Sequence, residues 1–452
     1  MHLFDALATT KTLSEIFSDQ SVLRTMLEFE VALAKVEARL KIIPGSAATA
    51  IASAADPKAF DACLLSQEAS RSGTIVVPFS KALAEIVGKK HPDAAGFVHW
   101  GPTSQDVSDT TLVLLLKRAM RVIVADLNRL ESALRTLSEE HRNSVMLGRT
   151  LMQPATPITF GLKAAGWFGA LHRCRIRLEY ACEEALLLQF GGAAGTLAPF
   201  GDLGSEVSQG LAKELGLPFP DAPWHTHRDR LATLLCACGV LVGSLGKIAR
   251  DISLMSQSEI AEVSEPVTEG RGSSSTMPHK RNPVGCAIAL AAATRVPALV
   301  SSYLSAMVQE HERGVGGSPA EWPIAASIVQ ATGAAASSIA EVSEGLVVDP
   351  VQMRENLRST KGMVFAEKAA VLLGEKIGKS RAHKLLEIAT AKALEQKQSL
   401  ADALREIPEA TEHLDETALT QLDVTEDYLG SAEWFRKRLL QVPTDKSEHT
   451  KD

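Results

Sequence analysis

The stretch WPIAASIVQATGAAASSIA, residues 322–340, runs for nineteen residues without a charged side chain. A segment of that length could span a bilayer. This one, however, contains a proline, a glutamine and several serines, and alanine is its commonest residue. Membrane spans take most of their hydrophobicity from larger side chains. We therefore predict a helix buried among other helices rather than a membrane span.

Four further segments share this alanine- and leucine-rich character. With the first, the five lie at roughly 108–143, 157–190, 230–263, 284–311 and 322–347. Helices of roughly 25–35 residues are long against a mean of about 11–12. Several are apolar on more than one side and cannot all be buried within one chain. The sequence therefore predicts an all-α protein whose long helices form a bundle and also pack against partner subunits.

The flanking sequence has shorter and more charged helices. Apolar residues recur at spacings of three and four from Val22 to Leu40, which predicts a helix before the bundle. From about Val348 the chain becomes more charged, and its last residues, VPTDKSEHTKD, are predicted to be disordered. We predict three helical domains: residues 1–107, a central long-helix bundle at 108–347, and residues 348–452.

Composition excludes several classes of function. The net charge of −7 argues against a general nucleic-acid or membrane-surface binder, because such proteins are normally basic. The six cysteines form no C-x-x-C pair, which predicts reduced thiols in a cytoplasmic protein rather than a metal site. The N-terminal MHLFDALATTKTL lacks the basic and long apolar regions of a signal peptide. An anionic ligand must therefore meet a local cluster of positive charge.

Such a cluster occurs in the loop SSSTMPHKRNPVG, residues 273–285. Hydroxyl groups precede two cations, Lys280 and Arg281, and the amide of Asn282 follows them. Pro283 prevents the next helix from beginning before Asn282. These groups suit a small di- or tricarboxylate, with lysine supplying charge and the amide and hydroxyls supplying orientation. A phosphorylatable basic linker fits the composition equally well.

Two other loops carry polar groups. HWGPTSQD, residues 99–106, offers His99, Thr103 and Ser104, although Thr-Ser before an aspartate is also typical of a helix N-cap. GRTLMQPAT, residues 148–156, offers Thr150 and Gln153 but no acid or base, and alone it reads as a turn.

Further basic residues suggest an anion site but no metal or nucleotide site. Arg313 stands before a glycine-rich segment and is a candidate anion clamp. The stretch HTHRDR, residues 225–230, lacks a carboxylate and histidine set at ligand spacing, which argues against a metal. Neither familiar glycine-rich phosphate-binding spacing is present, which excludes nucleotide-dependent enzymes.

Together these loops resemble the signature blocks of the fumarase/aspartase superfamily. SSTMPHKRNP (274–283) closely resembles its signature loop, and three other blocks resemble the rest in the same order: HWGPTSQDVSDT (99–110), GRTLMQPATP (148–157) and GGAAGTL (191–197). The resemblance covers essentially the whole chain. LQFGGAAGTL, PWHTHRDRL and MVQEHER are similar to the branch of bacterial 3-carboxy-cis,cis-muconate cycloisomerases.

This resemblance implies an all-α, three-domain fold in a D2 homotetramer. The central domains would pool their helices into a 20-helix core, and each active site would take loops from three subunits. It also implies a cofactor-independent enzyme, without metal, acting on a small polyanionic substrate in the cytoplasm. The reaction would lactonize a 3-substituted muconate by intramolecular carboxylate addition, in the catabolism of aromatic compounds. Neither nucleic acid nor membrane is an expected partner.

The resemblance also assigns roles to residues. Ser274 would be the catalytic serine of a mobile loop and the candidate proton donor. Lys280 would stabilise the growing negative charge together with Asn282. The other residues expected to bind substrate are His99, Thr103, Ser104, Thr150, Leu151, Gln153, Ser273, Ser275 and Arg313.

Departures from the family patterns refine the expected substrate. Adenylosuccinate lyases carry histidines at Leu151 and near residues 74–79, and both are absent, which argues against a lyase that must protonate a leaving amine. Cycloisomerases would carry tryptophan at Leu151, glycine at Ser273 and Trp-His at residues 318–319. These changes suggest a 3-sulfo rather than a 3-carboxy substituent, or neutral drift. A C–N or C–O lyase and a non-catalytic structural homologue remain alternatives.

Overall fold

The protein, described by a computed structural model over residues 3–266, Gly272, Met277 and 280–441, begins with five helices. They are α1 (Lys11–Ile16), α2 (Asp19–Arg39), α3 (Gly45–Ala54), α4 (Ala62–Ser72) and α5 (Val76–Lys90). The α2 helix confirms the predicted apolar periodicity, because Met26, Phe29 and Leu33 are buried on one face. Its N-cap is Ser18, whose hydroxyl accepts a hydrogen bond from the backbone NH of Ser21.

Each of the five long alanine- and leucine-rich segments forms a helix, which confirms the all-α prediction. In chain order, this central part contains α6 (Ser104–Glu140), α7 (Phe160–Ala185), α8 (Gly204–Leu215), α9 (Asp229–Met255), α10 (Val284–Ala306) and α11 (Gly317–Glu344). The α6 helix begins four residues earlier than predicted, because Ser104 already belongs to its first turn and Thr103 is the residue that precedes it. The α8 helix is a shorter addition between α7 and α9.

The strands form two small antiparallel sheets within the part of the chain that the structure describes. β1 (Val145–Thr150) pairs with β2 (Gln153–Thr159), and β3 (Val263–Ser264) pairs with β4 (Val347–Val348). The segment GRTLMQPAT, which alone reads as a turn, is therefore most of a β-hairpin. A register shift between Leu147 and Gly148 marks an irregularity in this hairpin.

The C-terminal part consists of shorter helices, as predicted. They are α12 (Pro350–Ser359), α13 (Ala366–Ile377), α14 (Lys379–Gln396), α15 (Leu400–Arg405), α16 (Pro408–His413), α17 (Glu416–Gln421) and α18 (Ala432–Leu440). Helices α12 to α17 share a hydrophobic core in which Phe365, Leu373 and Leu404 are fully buried, and Val145 and Leu147 of β1 join that core. The predicted disordered tail, residues 442–452, lies outside the described residues.

Contacts divide the chain into two compact units. Unit 1 contains Met1–Asn128, Arg173–Lys247 and Ala287–Ile339. Unit 2 contains Arg129–His172, Ile248–Cys286 and Ala340–Asp452. The three-domain division at residues 107 and 347 stays a prediction.

Three helices, α9, α10 and α11, are long and apolar enough to cross a membrane by length and composition alone. The α11 helix, which contains residues 322–340, buries 67% of its most apolar window inside the protein, and α9 buries 56%. The α10 helix buries only 28%. It therefore carries an apolar surface that this chain leaves largely uncovered.

The junction of α6 and α7 provides a test of packing. A Cβ added at Gly161 would lie 2.6 Å from Arg142 Cα and 2.7 Å from the backbone oxygen of Ser138. Because backbone atoms cannot move aside cheaply, Gly161→Ala is expected to lower the free energy of unfolding by about 1–3 kcal/mol. Urea denaturation would measure the change.

Gly166 is the matched control for this substitution. It lies on an exposed position of the same helix, with nothing within 4 Å of an added Cβ. Gly166→Ala should therefore raise the free energy of unfolding, by up to about 1 kcal/mol, through helix propensity alone. Equal effects of the two substitutions would contradict the proposed packing at Gly161.

Candidate active site

A cavity of about 360 Å³ lies in unit 1, beside the first turn of α6. Its lining includes Ser104, Gln105, Ser108, Arg313, Ser318, Pro319, Trp322, Thr74 and Ile75. The cavity thus brings together two predicted substrate-binding residues, Ser104 and Arg313, with the divergent pair at 318–319. It also contains the segment at 74–75, near which adenylosuccinate lyases carry a histidine.

The guanidinium of Arg313 contacts three neutral oxygen atoms. Nη1 donates to the hydroxyl of Thr103, Nη2 lies 3.4 Å from Ser104 Oγ, and Nε lies 3.3 Å from Gln105 Oε1. None of these partners carries a negative charge, so the hydrogen bonds orient the cation without neutralising it. An anionic group entering the cavity would meet this charge.

The sequence left open whether Thr103 and Ser104 cap α6 or bind a ligand, and the hydrogen bonds at the start of this helix distinguish the two roles. The backbone NH of Thr103 donates to Asp106 Oδ2 at 2.9 Å, so the aspartate carboxylate satisfies the group that precedes the helix. The hydroxyls of Thr103 and Ser104 are instead directed to Arg313. Both are therefore placed to orient Arg313 at the cavity.

The carboxylate of Asp106 forms hydrogen bonds with residues from several of the sequence blocks. This role was not predicted from the sequence. The Asp106 carboxylate is fully buried. Besides the NH of Thr103, the nitrogen atoms within hydrogen-bond distance are the backbone NH groups of Gly191 and Gly192, Nε2 of Gln189 and Nε2 of His225. These partners lie in the blocks HWGPTSQD, LQFGGAAGTL and PWHTHRDRL, whose joint resemblance to one family was the sequence signal that they meet.

The basic cluster at residues 225–230 is structural. His225 Nε2 lies 2.7 Å from Asp106 Oδ1. Arg228 is fully buried and forms ion pairs with Asp109 at 2.8 Å and with Glu321 at 2.5 Å. Burial lowers the pKa of Arg228, but the two carboxylates more than offset this and hold the pKa above its ordinary value. Over residues 3–266 and 280–441, no group of three His, Cys, Asp or Glu side chains is placed to hold a metal ion.

His99 is held by a buried carboxylate. Its Nδ1 lies 2.7 Å from Glu30 Oε1, and its backbone has a positive φ of 58°. Burial lowers the pKa of His99, but the charge and hydrogen bond of Glu30 outweigh this, with a contribution from Asp106, so the pKa lies above its ordinary value. The predicted contact between His99 and substrate stays a prediction.

A second group of predicted residues lies on the β1–β2 hairpin in unit 2. Thr150 and Gln153 pair across a two-residue turn formed by Leu151 and Met152, and all four are exposed. Leu151 and Met152 have φ values of 49° and 67°, as a type I′ turn requires. That conformation favours asparagine and glycine, which explains why the hairpin was not predicted. The strained tip presents two apolar side chains.

An ion pair anchors this hairpin in unit 2. Arg149 in β1 donates two hydrogen bonds to Glu262, at 2.7 and 2.9 Å, and Glu262 is fully buried. Asn356 donates a further hydrogen bond to the same carboxylate at 3.0 Å. Glu262 immediately precedes β3, so the pair links the hairpin to the segment that leads into the signature loop.

The described ends of the signature loop are joined to each other. The NH of Asn282 donates to the carbonyl of Gly272 at 3.0 Å. Gly272 has a φ of 71°, and a Cβ there would lie 2.7 Å from the Asn282 oxygen, so only glycine fits this position. Lys280 is exposed. The predicted residues Ser273, Ser274 and Ser275 lie outside the described residues.

The helix that follows the loop has its N-terminus filled by a side chain of the protein. The carboxylate of Glu265 accepts hydrogen bonds from the backbone NH groups of Gly285 and Cys286, at 3.0 and 2.8 Å. These are two of the first four NH groups of α10, which have no partner inside the helix. Lys280 and Asn282 therefore precede a helix end that is already capped.

Comparison with known proteins gives consistent matches. A family model described as Lyase matches residues 7–298. The chain is 46% identical to a 3-carboxy-cis,cis-muconate cycloisomerase of Bradyrhizobium diazoefficiens, over 93% of this chain and 94% of that protein. It is 40% identical to a nitrosuccinate lyase of Streptomyces davaonensis, over 96% of this chain and 93% of that protein. The crystal structure of 3-carboxy-cis,cis-muconate lactonizing enzyme from Pseudomonas putida superposes with a TM-score of 0.91 at 42% identity, covering 97% of this chain and 98% of that one.

Removal of Arg149 tests the hairpin anchor. Arg149→Met would leave the buried carboxylate of Glu262 without its cation, which is expected to cost about 3–5 kcal/mol of unfolding free energy. Adding Glu262→Gln should recover part of the loss. Arg354→Met is the control, because its ion pair with Glu426 is exposed and worth at most about 1 kcal/mol. Equal midpoints of urea denaturation for the two single variants would contradict the anchor.

The His99–Glu30 pair gives a pH-dependent contribution to stability. Because the folded pKa of His99 is raised, the pair stabilises fully below the unfolded value of about 6.5, and the stabilisation is lost as pH rises through the folded pKa. The stability difference between wild type and His99→Gln should therefore shrink from pH 6 to pH 9. Thermal unfolding at several pH values measures it, and a constant difference would rule the pair out as its cause.

Proposed function

The chain belongs to the lyase family of the fumarase/aspartase superfamily, and we propose that it is a cycloisomerase that lactonizes a 3-substituted cis,cis-muconate. The observation that carries this proposal is the un-neutralised guanidinium of Arg313 in a cavity with the hydroxyls of Thr103 and Ser104. Such a site suits an anionic group of a small substrate. The identity to cycloisomerases over most of the chain supports the same reaction, in the catabolism of aromatic compounds.

The proposed chemistry needs charge stabilisation and one proton. One carboxylate of the muconate adds to the far double bond, negative charge develops as an enediolate at another carboxylate, and the α carbon is then protonated. Arg313 binds an anionic substituent, while Lys280 and Asn282 stabilise the enediolate. Ser274 donates the proton, for which a hydroxyl needs strong local help. The remaining predicted residues hold the diene in position: His99, Thr103, Ser104, Thr150, Leu151, Gln153, Ser273 and Ser275.

We further propose a cytoplasmic D2 homotetramer with shared active sites. The uncovered apolar surface of α10 and the exposed Leu151 and Met152 at the hairpin tip support burial against other copies of the chain. In this arrangement the central domain, residues 108–347, contributes its five long helices to a 20-helix core. The flanking domains are residues 1–107 and 348–452. The reaction uses no metal or organic cofactor, and the net negative charge argues against nucleic acid and membrane as partners.

The substituent at position 3 of the muconate is proposed to be carboxylate, as in the cycloisomerases named above, or sulfonate, to which the departures from the family pattern point. Ser318 and Pro319, which stand where Trp-His is expected, line the cavity that contains Arg313. Serine, proline and leucine at 318, 319 and 151 are smaller than the expected tryptophan, histidine and tryptophan, and Ser273 adds a hydrogen-bond donor that the expected glycine lacks. A sulfonate, which is tetrahedral and larger than a carboxylate, would use the added volume and the added donor.

A C–N lyase is the second candidate, because one relative is named a nitrosuccinate lyase. Expulsion of an amine requires a proton donor. Among the described residues that line the cavity, none is a histidine, lysine, aspartate or glutamate. That lining argues against the expulsion of an amine and is compatible with the cycloisomerase, in which the attacking group is already a carboxylate; it does not bear on a nitro group, which leaves as the nitrite anion without a proton. Retention of Arg313, Lys280 and Asn282 argues against a non-catalytic role.

Loss of diene ultraviolet absorbance tests the function directly. The purified protein should turn over 3-carboxy-cis,cis-muconate and its 3-sulfo analogue but not adenylosuccinate. Faster turnover of the sulfo compound would support the sulfonate proposal, and faster carboxy turnover would make the changes at Leu151, Ser273 and residues 318–319 neutral drift. Turnover of neither diene would overturn the cycloisomerase proposal.

Replacement of Arg313 gives the matching residue-level test. Arg313→Met should lower kcat/KM on the order of 100-fold, because a charge-assisted contact to the substrate is lost. Arg354→Met serves as the control, since its exposed ion pair with Glu426 involves none of the predicted site residues. Unchanged kcat/KM in Arg313→Met would show that the cavity does not bind the substrate.

A further inference from the structure

A buried cluster of charged groups lies beside the cavity. We call Arg228, Asp109, Glu321 and Tyr303 the Arg228 cluster. Arg228 donates to both oxygens of Asp109 at 2.8 and 3.0 Å and to Glu321 Oε2 at 2.5 Å, and Tyr303 donates to Glu321 Oε2 at 3.0 Å. All four side chains are fully buried. Because each charge has oriented partners, the two carboxylates are held in fixed positions.

The carboxylate of Asp109 fixes the orientation of the Gln105 amide. The Nε2 of Gln105 donates to Asp109 Oδ2 at 3.1 Å and to the backbone oxygen of His225 at 2.8 Å. Neither partner can donate a hydrogen bond, so a reversed amide would place oxygen against oxygen. The Oε1 of Gln105 must therefore face away from them, where it lies 3.3 Å from Arg313 Nε.

The carboxylate of Glu321 fixes the orientation of the Gln309 side chain. The Nε2 of Gln309 donates to Glu321 Oε1 at 2.8 Å and contacts the backbone oxygen of Ala306 at 3.3 Å. Its side chain lies against Gly314 and Gly317, where an added Cβ would come within 2.9 Å of Gln309 atoms. Gly314 directly follows Arg313, so this glutamine packs against the backbone of the loop that carries the cation.

We propose that Gln105 and Gln309 are positioning residues that hold Arg313 ready for an anion, and that the Arg228 cluster orients both of them. Gln105 sets the direction of the guanidinium, and Gln309 sets the backbone on which it stands. Arginine is a flexible side chain, so ordering it before the substrate arrives lowers the entropic cost of binding. This inference rests on the proposed anion-binding role of Arg313.

A double-mutant cycle tests the positioning role. Gln105→Met keeps the side-chain length but removes both the oxygen and the nitrogen of the amide group. In the wild-type background it should raise the KM for 3-carboxy-cis,cis-muconate about tenfold, equivalent to about 1.4 kcal/mol, with a smaller change in kcat. In the Arg313→Met background it should add no further loss, because there is no guanidinium to orient. The same tenfold loss in both backgrounds would overturn the proposal.

The control is Gln330→Met, a part-buried glutamine of α11 in the same unit. It hydrogen-bonds the hydroxyl of Thr9 and has no contact with the Arg228 cluster among the hydrogen bonds found for the described residues. Its KM should equal that of the wild type. If Gln105→Met does not fold, Gln309→Met takes its place in the cycle, with the same expected rise in KM and the same overturning result.

A readout independent of turnover separates this inference from the proposed function. Crystal structures of the wild-type and Gln105→Met proteins should show the Arg313 guanidinium displaced or in several conformers in the variant. An unchanged guanidinium would overturn the positioning role. If the wild type turns over neither 3-carboxy-cis,cis-muconate nor its 3-sulfo analogue, the proposed function fails, and the crystallographic comparison still decides whether Gln105 positions Arg313.

Discussion

A buried carboxylate is costly unless hydrogen bonds replace the water it loses, and Asp106 meets that constraint at the centre of the candidate site. Its donors come from the residue before α6, from the glycine pair at 191–192, from Gln189 and from His225. The carboxylate can be satisfied only when these segments converge. Distant parts of unit 1 are thereby brought to one place, and the cavity forms beside it.

The chemistry at the cavity is organised in layers of increasing burial. Arg313 is half-buried and faces the cavity, Gln105 is buried behind it, and the Arg228 cluster is fully buried. Charges deep in the protein are strongly fixed by their partners, whereas the hydrogen-bond partners of the outermost cation, Arg313, are neutral among the residues that the structure describes. The guanidinium of Arg313 is therefore open to an anion in the cavity, while the groups behind it restrict its movement.

The long helices could be predicted because alanine and leucine over more than twenty residues leave few alternatives to helix. The hairpin at 145–159 could not, because Leu151 and Met152 occupy turn positions that usually carry asparagine or glycine. The Arg228 cluster also escaped prediction. Its partners Asp109 and Glu321 lie 119 and 93 residues away in sequence, so no local spacing connects them to Arg228. Arg313, Thr103 and Ser104 were predicted to bind substrate from the family resemblance, and the structure joins the three by hydrogen bonds, while their binding role stays a prediction.

The contact between Glu265 and the first turn of α10 limits how the signature loop can bind an anion. Free NH groups at a helix N-terminus, aligned with the helix macrodipole, commonly hold phosphate or carboxylate ligands. Here Glu265 already occupies two of those NH groups, those of Gly285 and Cys286, which follow shortly after Asn282. The partial positive charge of the helix end is thus neutralised from within the protein. A substrate carboxylate at this loop must find its counter-charge in side chains, which can be rearranged, rather than in a fixed backbone dipole.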